Sequence, residues 1–261
     1  MAAEIKKEIE LEIAHVLFVD IVGYSRLLIN EQRRLLEVLN QMVRETEQFR
    51  TAEEKGRLIT IPAGDGMALV FYNSPEAPVE CALELSRADK AHPELRLRMG
   101  VHGGAVSGVI DVSGRANIAG PGINMAQRVM DCGDADHILL SKRVAEDIEQ
   151  YAHWQPLLHE LGECEVKHGV TLSLVNLYTD ELGNPEPPEK FKKLNEQKQV
   201  GASAGTLTDA IGKRSSWAMI TLGCNNVFGQ DPPDANTPTN YADFAYDSTG
   251  RFVYVSLTKK F

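Results

Sequence analysis

The order of strand and helix patterns in the first part of the chain limits most strongly how it can fold. Stretches with apolar residues at helical spacing alternate there with short apolar runs that are typical of buried strands. Predicted strands lie at Val16–Ile21, Leu58–Ile61, Met67–Phe71, Leu95–Val101, His137–Leu140 and Leu172–Tyr178, and predicted helices at Arg26–Glu54 (one or two), Ser74–Asp89, Asn124–Val129 and Lys142–Gln150. This mixture predicts an α+β fold, with helices packed against a sheet.

The composition changes near residue 200, which indicates a second region. The residues after 200 include five acidic and five basic ones, so the net charge of −10 belongs to the first 200 residues. Between the two parts runs the proline-rich Asn184-Pro-Glu-Pro-Pro, followed by small and polar residues, as is typical of a linker. We expect a helical lead-in over residues 1–13, a main domain over 14–182, a linker over 183–214 and a β-rich segment over 215–261.

Charge, cysteine content and hydropathy exclude several classes of protein. An acidic chain gains no affinity for nucleic acid from its overall field, and a phosphate ligand would need local cations. The N-terminus is charged throughout, and no run of about 20 apolar residues suggests a membrane span. We therefore expect a cytoplasmic protein whose four cysteines, which form no CxxC pair, are reduced: Cys81, Cys132, Cys164 and Cys224.

Two acidic residues stand where a chain could hold metal ions. Asp20 ends the first predicted strand, close to Gly23, and Asp65 lies in the turn of the predicted hairpin. Carboxylates at such positions bind hard divalent cations together with backbone carbonyls and water, and two together could hold two Mg²⁺ or Mn²⁺ ions for attack at phosphorus. Alternatively, Asp20 caps a turn and Asp65 merely suits the hairpin. The spacing alone favours this second interpretation.

Four ordered stretches carry a more specific signal. They are Phe18-Val-Asp-Ile-Val-Gly-Tyr-Ser25, Gly64-Asp-Gly-Met-Ala-Leu-Val-Phe71, Leu97-Arg-Met-Gly-Val-His-Gly-Gly104 and Asn117-Ile-Ala-Gly-Pro-Gly-Ile-Asn-Met-Ala-Gln-Arg128. In this order they resemble the motifs of the class III nucleotide cyclase catalytic domain, over about residues 14–180. The resemblance implies a ferredoxin-like α/β sandwich that works as a homodimer, with active sites shared between the two chains.

The resemblance also implies a mechanism. Asp20 and Asp65, helped by the carbonyl of Ile21, would bind two Mg²⁺ or Mn²⁺ ions. One ion would lower the pKa of the ribose 3′-hydroxyl and the other would hold the triphosphate. Attack on the α-phosphorus then gives a 3′,5′-cyclic nucleotide and pyrophosphate.

Further residues match family positions that contact the substrate. Arg98 matches an arginine that contacts the triphosphate, and Lys167 lies where family members carry a lysine near the phosphates. From the opposite chain, Asn124 would position the ribose and Arg128 would neutralise charge on the α-phosphate. Asn124 and Arg128 are four residues apart, so one helix would present both on the same side.

Two positions that choose the base depart from the family patterns. Adenylyl cyclases usually carry Lys where this chain has Ile61 and Asp where it has Asn117, and guanylyl cyclases carry a Glu/Cys pair. Isoleucine cannot hydrogen-bond a base edge, whereas Asn117 offers both a donor and an acceptor. The chain could bind ATP in a divergent way, use another base, or have lost turnover. An active cyclase with ATP as its default substrate is our first prediction, and a catalytically silent module for nucleotide binding or dimerisation is the alternative.

The C-terminal segment has a different resemblance. The stretch that begins Trp217-Ala-Met-Ile-Thr-Leu and the stretch that begins Gly250-Arg-Phe-Val-Tyr-Val resemble the last strands of TonB-dependent outer-membrane receptors. Two or three strands are too few to make such a receptor. We interpret the segment as a receptor fragment fused behind the main domain, or, alternatively, as a docking strand for a partner sheet.

Overall fold

The computed structural model describes residues 11–110, 116–166, 169–194, 218–226, 241–246 and 251–259. The chain divides into two compact units, Met1–Glu196 and Gln197–Phe261, and each is described by itself. In the described part of the chain, every helix is too short or too polar to cross a membrane.

The first unit is a mixed sheet with helices on both faces. Its strands are β1 (Leu11–Ile21), β2 (Leu58–Pro62), β3 (Gly66–Phe71), β4 (Leu97–Ile110), β5 (Ala116–Ala119), β6 (Ile138–Ser141), β7 (Leu158–Val166) and β8 (Val170–Leu177). Its helices are α1 (Ile29–Glu45), α2 (Glu47–Glu54), α3 (Glu76–Asp89), α4 (Pro121–Met130) and α5 (Lys142–Ile148). The strand order is β2-β3-β1-β4-β6-β8-β7, with β5 paired to the outer part of β4.

The first four strands confirm the ferredoxin-like fold that the resemblance implies. The chain runs from β1 through α1 and α2 to the β2–β3 hairpin, and then through α3 to β4. These strands lie antiparallel in the order β2-β3-β1-β4, which is the arrangement of a βαββαβ sandwich. Parallel pairing of β6 with β4 extends the sheet beyond this unit.

The alternation of side chains along β1 divides the core into two layers. Leu17, Val19 and Ile21 pack in the larger layer, which contains buried residues of α1, α2, α3 and α5. Val16 and Phe18 pack in the smaller layer on the other face, together with buried residues of α4. Because successive side chains of a strand point to opposite faces, Asp20 is expected on the side of the sheet that α4 covers.

The structure corrects several predicted boundaries. Residues 11–13 of the predicted helical lead-in belong to strand β1, and residues 1–10 lie outside the described part. Strand β4 continues to Ile110, well beyond the predicted end at Val101, because it pairs with β1 over its whole inner length. The short β5 and the polar β7 were not predicted, since neither shows a clear apolar run.

The predicted linker begins too early. Residues 183–194, which were assigned to the linker, belong to the first unit, and we call this segment the C-terminal strap. The carbonyl of Glu186 accepts a hydrogen bond from His137 Nε2 at 2.7 Å, and the Glu189 amide donates to Asp134 Oδ2 at 2.8 Å. Phe191 is buried at the end of the strap. The strap therefore fastens the loop between α4 and β6.

The second unit contains three described strands, β9 (Ala218–Asn226), β10 (Tyr241–Tyr246) and β11 (Arg251–Lys259). They form an antiparallel sheet with β11 in the centre. The prediction of a β-rich segment is consistent with these strands, whereas the resemblance to outer-membrane receptors stays a prediction.

Candidate functional site

An ion pair between Asp20 and Arg98 stands at the end of β1. Arg98 Nε donates to Asp20 Oδ1 at 2.8 Å and Nη2 donates to Oδ2 at 2.7 Å, so one guanidinium covers both carboxylate oxygens. The side chain of Asp20 is 6% exposed and that of Arg98 is 27% exposed. A buried carboxylate needs such a partner, because an isolated charge in this position would be costly.

The register of the sheet creates this pair. Asp20 lies directly opposite Arg98 across β1 and β4, and directly opposite Gly66 across β1 and β3. Non-adjacent parts of the sequence therefore meet on three neighbouring strands. A side chain at Gly66 would clash with β1, because its Cβ would lie 1.9 Å from the Val19 carbonyl oxygen.

Asp65 is placed beside this pair by the β2–β3 turn. Gly64 adopts a left-handed conformation with φ 79°, and the Ala63 amide donates to the Gly66 carbonyl at 3.0 Å, which closes the turn. The Asp65 carbonyl accepts a hydrogen bond from the Ile21 amide at 3.0 Å, so the turn is tied to the end of β1. We call Asp20, Asp65 and Arg98 the carboxylate cluster.

Burial, Arg98 and the neighbouring acidic side chains shift the pKa of Asp20 in opposite directions. Burial raises the pKa of Asp20 above its ordinary value, the hydrogen bonds from Arg98 oppose this rise, and the charges of Asp65 and Asp131 add to it. The hydrogen bonds to Asp20 also raise the pKa of Arg98, which stays protonated. An added cation would offset the repulsion among these like charges, which contributes to the raised pKa of Asp20.

Asp131 joins the cluster from α4. Its Oδ1 atom accepts a longer contact, 3.3 Å, from the same Arg98 Nη2 that binds Asp20. The end of α4 lies directly on β4, since a Cβ at Gly100 would lie 2.3 Å from the backbone nitrogen of Met130. Sequence reasoning gave Asp131 no role. The only signal was its position three residues after Arg128, which does not reveal a contact with a distant strand.

Asn124 and Arg128 lie on one side of α4, as their spacing predicted. The buried side of the helix is formed by Gly122, Ala126, Val129 and Met130, whereas Asn124 is exposed and Arg128 is half-buried. We call this side the outer face of α4. Among the described residues, no hydrogen bond or ion pair joins either side chain to Asp20 or Asp65.

A cavity of about 260 Å³ lies beside Arg128, and Asp131, Val166 and Lys190 also line it. Lys190 belongs to the C-terminal strap, and its Nζ lies 3.6 Å from the sulfur of the buried Cys132. Sequence reasoning assigned Lys190 to the linker and so missed it. Lys167, which was predicted to contact phosphates, lies outside the described residues.

The two predicted base-selecting residues lie on different strands, Ile61 on β2 and Asn117 on β5. Ile61 is half-buried on β2 and packs against the layer that contains Ile118. Asn117 is exposed and lines a cleft of about 340 Å³ whose wall includes Ile59 and Tyr72. The Ile118 amide donates to Asn117 Oδ1 at 2.7 Å, so the backbone of β5 fixes this side chain.

Comparison with known sequences finds a matching family profile and a related protein. The sequence profile described as "Adenylate and Guanylate cyclase catalytic domain" matches residues 7–176. A relative named "Putative adenylate cyclase 3", from Rhizobium meliloti (strain 1021), is 30% identical over 155 residues. That match covers 57% of this chain and 24% of the relative, so the chain corresponds to about a quarter of the relative's length.

Solved structures show the same fold. The adenylyl cyclase CyaB from P. aeruginosa superposes with a TM-score of 0.53 at 19% identity, covering 68% of this chain and all of that one. The guanylate cyclase domain of RhGC from Catenaria anguillulae, solved in complex with GTP, gives a TM-score of 0.53 at 21% identity, with 65% and 98% of the two chains covered. At these identities the likeness concerns the fold.

Proposed function

Since the chain belongs to the family of adenylate and guanylate cyclase catalytic domains, we propose that it cyclises a nucleoside triphosphate with the help of divalent metal ions, as part of intracellular signalling. The products are a 3′,5′-cyclic nucleotide and pyrophosphate, and ATP is the default substrate. The observation that carries the proposal is the carboxylate cluster, in which Asp20 and Asp65 lie close together at the end of β1.

The cluster fits a divalent cation of a particular kind. Among the residues that the structure describes, no three His, Cys, Asp or Glu side chains form a closed metal centre. Mg²⁺ in nucleotide enzymes typically uses one or two carboxylates and takes its other ligands from water and substrate phosphates. Asp20, Asp65 and the carbonyl of Ile21 would hold such ions. When bound, they would supply a lower pKa for the 3′-hydroxyl and charge neutralisation at the triphosphate.

The chain's own residues would orient the substrate and stabilise the charge that develops. In the reaction, the ribose 3′-oxygen forms a bond to the α-phosphorus, the bond from that phosphorus to the bridging oxygen breaks, and pyrophosphate leaves. Arg98 would hold phosphate oxygens once it is released from Asp20. Asn124 would bind the ribose, and Arg128 and Lys167 would face the phosphates, where preorganised cations lower the barrier most.

We further propose that each active site is shared between two copies of the chain. The outer face of α4 points away from the core of its own chain, so Asn124 and Arg128 are available to a neighbour. The carboxylate cluster, in contrast, is complete within one chain. The groups that would bind the ribose and the α-phosphate are not part of it. A homodimer would supply these groups twice, once for each site.

The ion pair between Arg98 and Asp20 favours a second candidate function, a module that binds nucleotide without turnover. Arg98 occupies both oxygens of Asp20, and Ile61 cannot hydrogen-bond a base edge, so a chain that keeps the Asp20–Arg98 pair closed would be silent. The two candidates differ in whether a cyclic product forms. A cytoplasmic location remains a prediction for both.

The test uses the full chain with Mn²⁺ and, separately, ATP, GTP, CTP and UTP, followed by chromatography of the products. We expect one nucleotide to give a cyclic product and an equal amount of pyrophosphate, and EDTA to stop the reaction. The exposed Asp180→Asn serves as a matched control that should keep the wild-type rate, whereas Asp65→Asn should not. Nucleotide binding without product from any of the four would favour the silent module.

A further inference from the structure

The guanidinium of Arg98 and a divalent cation compete for the same carboxylate. Both oxygens of Asp20 accept hydrogen bonds from Arg98, and the Asp20 side chain is only 6% exposed. These bonds use two of the roughly four lone pairs of the carboxylate, and the guanidinium charge repels a cation that approaches the others, so binding of a cation at Asp20 is favoured when Arg98 moves away. Taking the partner away from a part-buried arginine is costly unless another anion receives it.

Asp131 is already in contact with the atom that would have to move. Arg98 Nη2 lies 2.7 Å from Asp20 Oδ2 and 3.3 Å from Asp131 Oδ1, so this one nitrogen is shared between two carboxylates. The second contact is the longer of the two, and the Asp131 side chain is 27% exposed against 6% for Asp20. The guanidinium thus has a primary and a secondary carboxylate partner in one structure.

The position of Asp131 at the end of α4 is electrostatically unfavourable for the helix. It is the C-cap residue of α4, where the helix dipole disfavours a negative charge. The contact with Arg98 offsets this cost. Asp131 also lines the cavity of about 260 Å³ that Arg128 and Lys190 line.

We propose that Asp131 is a positioning residue: it holds Arg98 when a divalent cation takes its place at Asp20, and it thereby sets the affinity of the site for that cation. The inference rests on the proposed function, because it assumes that Asp20 binds metal. It assigns Asp131 no contact with the reacting atoms. Its effect is transmitted through the Arg98 guanidinium.

The test measures Mn²⁺ binding to the full chain by calorimetry, without nucleotide, in a double-mutant cycle of Asp131→Asn and Arg98→Gln. In the wild-type background, we expect Asp131→Asn to weaken Mn²⁺ binding about five- to tenfold, because Arg98 is left with Asp20 alone. In the Arg98→Gln background, the same change should alter the affinity less than about twofold. Asp131→Glu, which keeps the carboxylate, should restore most of the affinity.

Asp136→Asn is the matched control. It lies five residues further along the same loop, its backbone amide donates to the Leu97 carbonyl at 2.6 Å, and asparagine tolerates its φ of 69°. This variant should bind Mn²⁺ as the wild type does. A thermal melt of each variant verifies that it is folded.

Two results would overturn the inference while the proposed function stands. One is an unchanged Mn²⁺ affinity in Asp131→Asn, and the other is an equal loss in both backgrounds, which would be a simple effect of charge at a distance. A wild-type chain that binds no Mn²⁺ would instead overturn the proposed metal site, and this inference with it.

Discussion

In the carboxylate cluster, charged side chains meet their partners within one chain, whereas the outer face of α4 presents Asn124 and Arg128 away from the core of its own chain. Hydrogen bonds of a continuous sheet fix the cluster, and Arg98 neutralises Asp20 before any ligand arrives. On the outer face of α4, Asn124 is exposed and Arg128 is half-buried. This difference is what the proposed shared site requires, with one half preassembled in each chain and the other half supplied by a second chain.

The largest effect should come from the preassembled half. Asp65→Ala should lower the rate of cyclic nucleotide formation by about 10³-fold or more, because a metal-binding carboxylate is lost. The melting temperature should hardly change, since backbone bonds and Gly64 close the turn without the carboxylate. Product analysis and a thermal melt measure the two quantities. An unfolded variant would show that Asp65 is a structural turn residue.

A mixing experiment tests whether the two halves belong to different chains. Arg128→Ala should lower the rate by roughly 10²-fold by itself, because charge on the α-phosphate is no longer neutralised. Equal amounts of the inactive Asp65→Ala and Arg128→Ala chains should recover about a quarter of the wild-type rate, since half of the dimers are mixed and each mixed dimer has one intact site. If mixing restores no activity, each site lies within one chain, and its two halves are not supplied by different chains.

A substitution at Asn117 should have a smaller effect, which concerns the choice between ATP and GTP. Asn117→Asp should shift the ratio of ATP to GTP turnover towards ATP by about tenfold, because a carboxylate accepts hydrogen bonds from the adenine amino group and repels the guanine carbonyl. Asn40→Asp, an exposed position on α1, makes the same change in charge elsewhere and should leave the ratio unchanged. Equal shifts in both variants would mean that Asn117 does not read the base.

A second part-buried carboxylate, Asp89, provides a contrast with Asp20. Asp89 lies in a separate cavity of about 410 Å³, and burial, together with the charge of Asp136, raises its pKa from 3.8 to about 7. Between these values the folded chain binds a proton that the unfolded chain has released, so the free energy of unfolding should fall as the pH rises from about 4 to about 7.

Replacing this carboxylate should flatten the pH dependence. Asp89→Asn cannot release the proton, so its free energy of unfolding should decline less over the same pH range, by at most the contribution of one proton. Urea titrations at several pH values measure the difference between the two proteins. Parallel curves for the wild type and the variant would show that Asp89 is ionised in the folded chain.

The smallest effect is expected from the second unit. Deleting residues 201–261 should change the rate of product formation by no more than about twofold, because the described site lies wholly within the first unit. Steady-state kinetics of the shortened chain test this. A loss of activity would indicate that the second unit helps to complete the fold or the dimer.

The sequence by itself determined the elements whose patterns are local. The amphipathic α1 and α2, the β2–β3 hairpin around Gly64 and the side of α4 that carries Asn124 and Arg128 were all predicted from spacing and turn residues. Each of these features depends on neighbours within a few positions along the chain. The resemblance to cyclases likewise rests on short stretches of adjacent residues.

Tertiary structure alone decided which of these pieces meet. The Asp20–Arg98 pair joins residues 78 positions apart, and the contact of Arg98 with Asp131 spans a further 33. Local patterns contain no record of strand register, so neither contact could be predicted from spacing. The polar β7 and the C-terminal strap escaped prediction for the same reason. Their conformation is stabilised by partners distant in sequence, which only the assembled sheet brings within hydrogen-bonding distance.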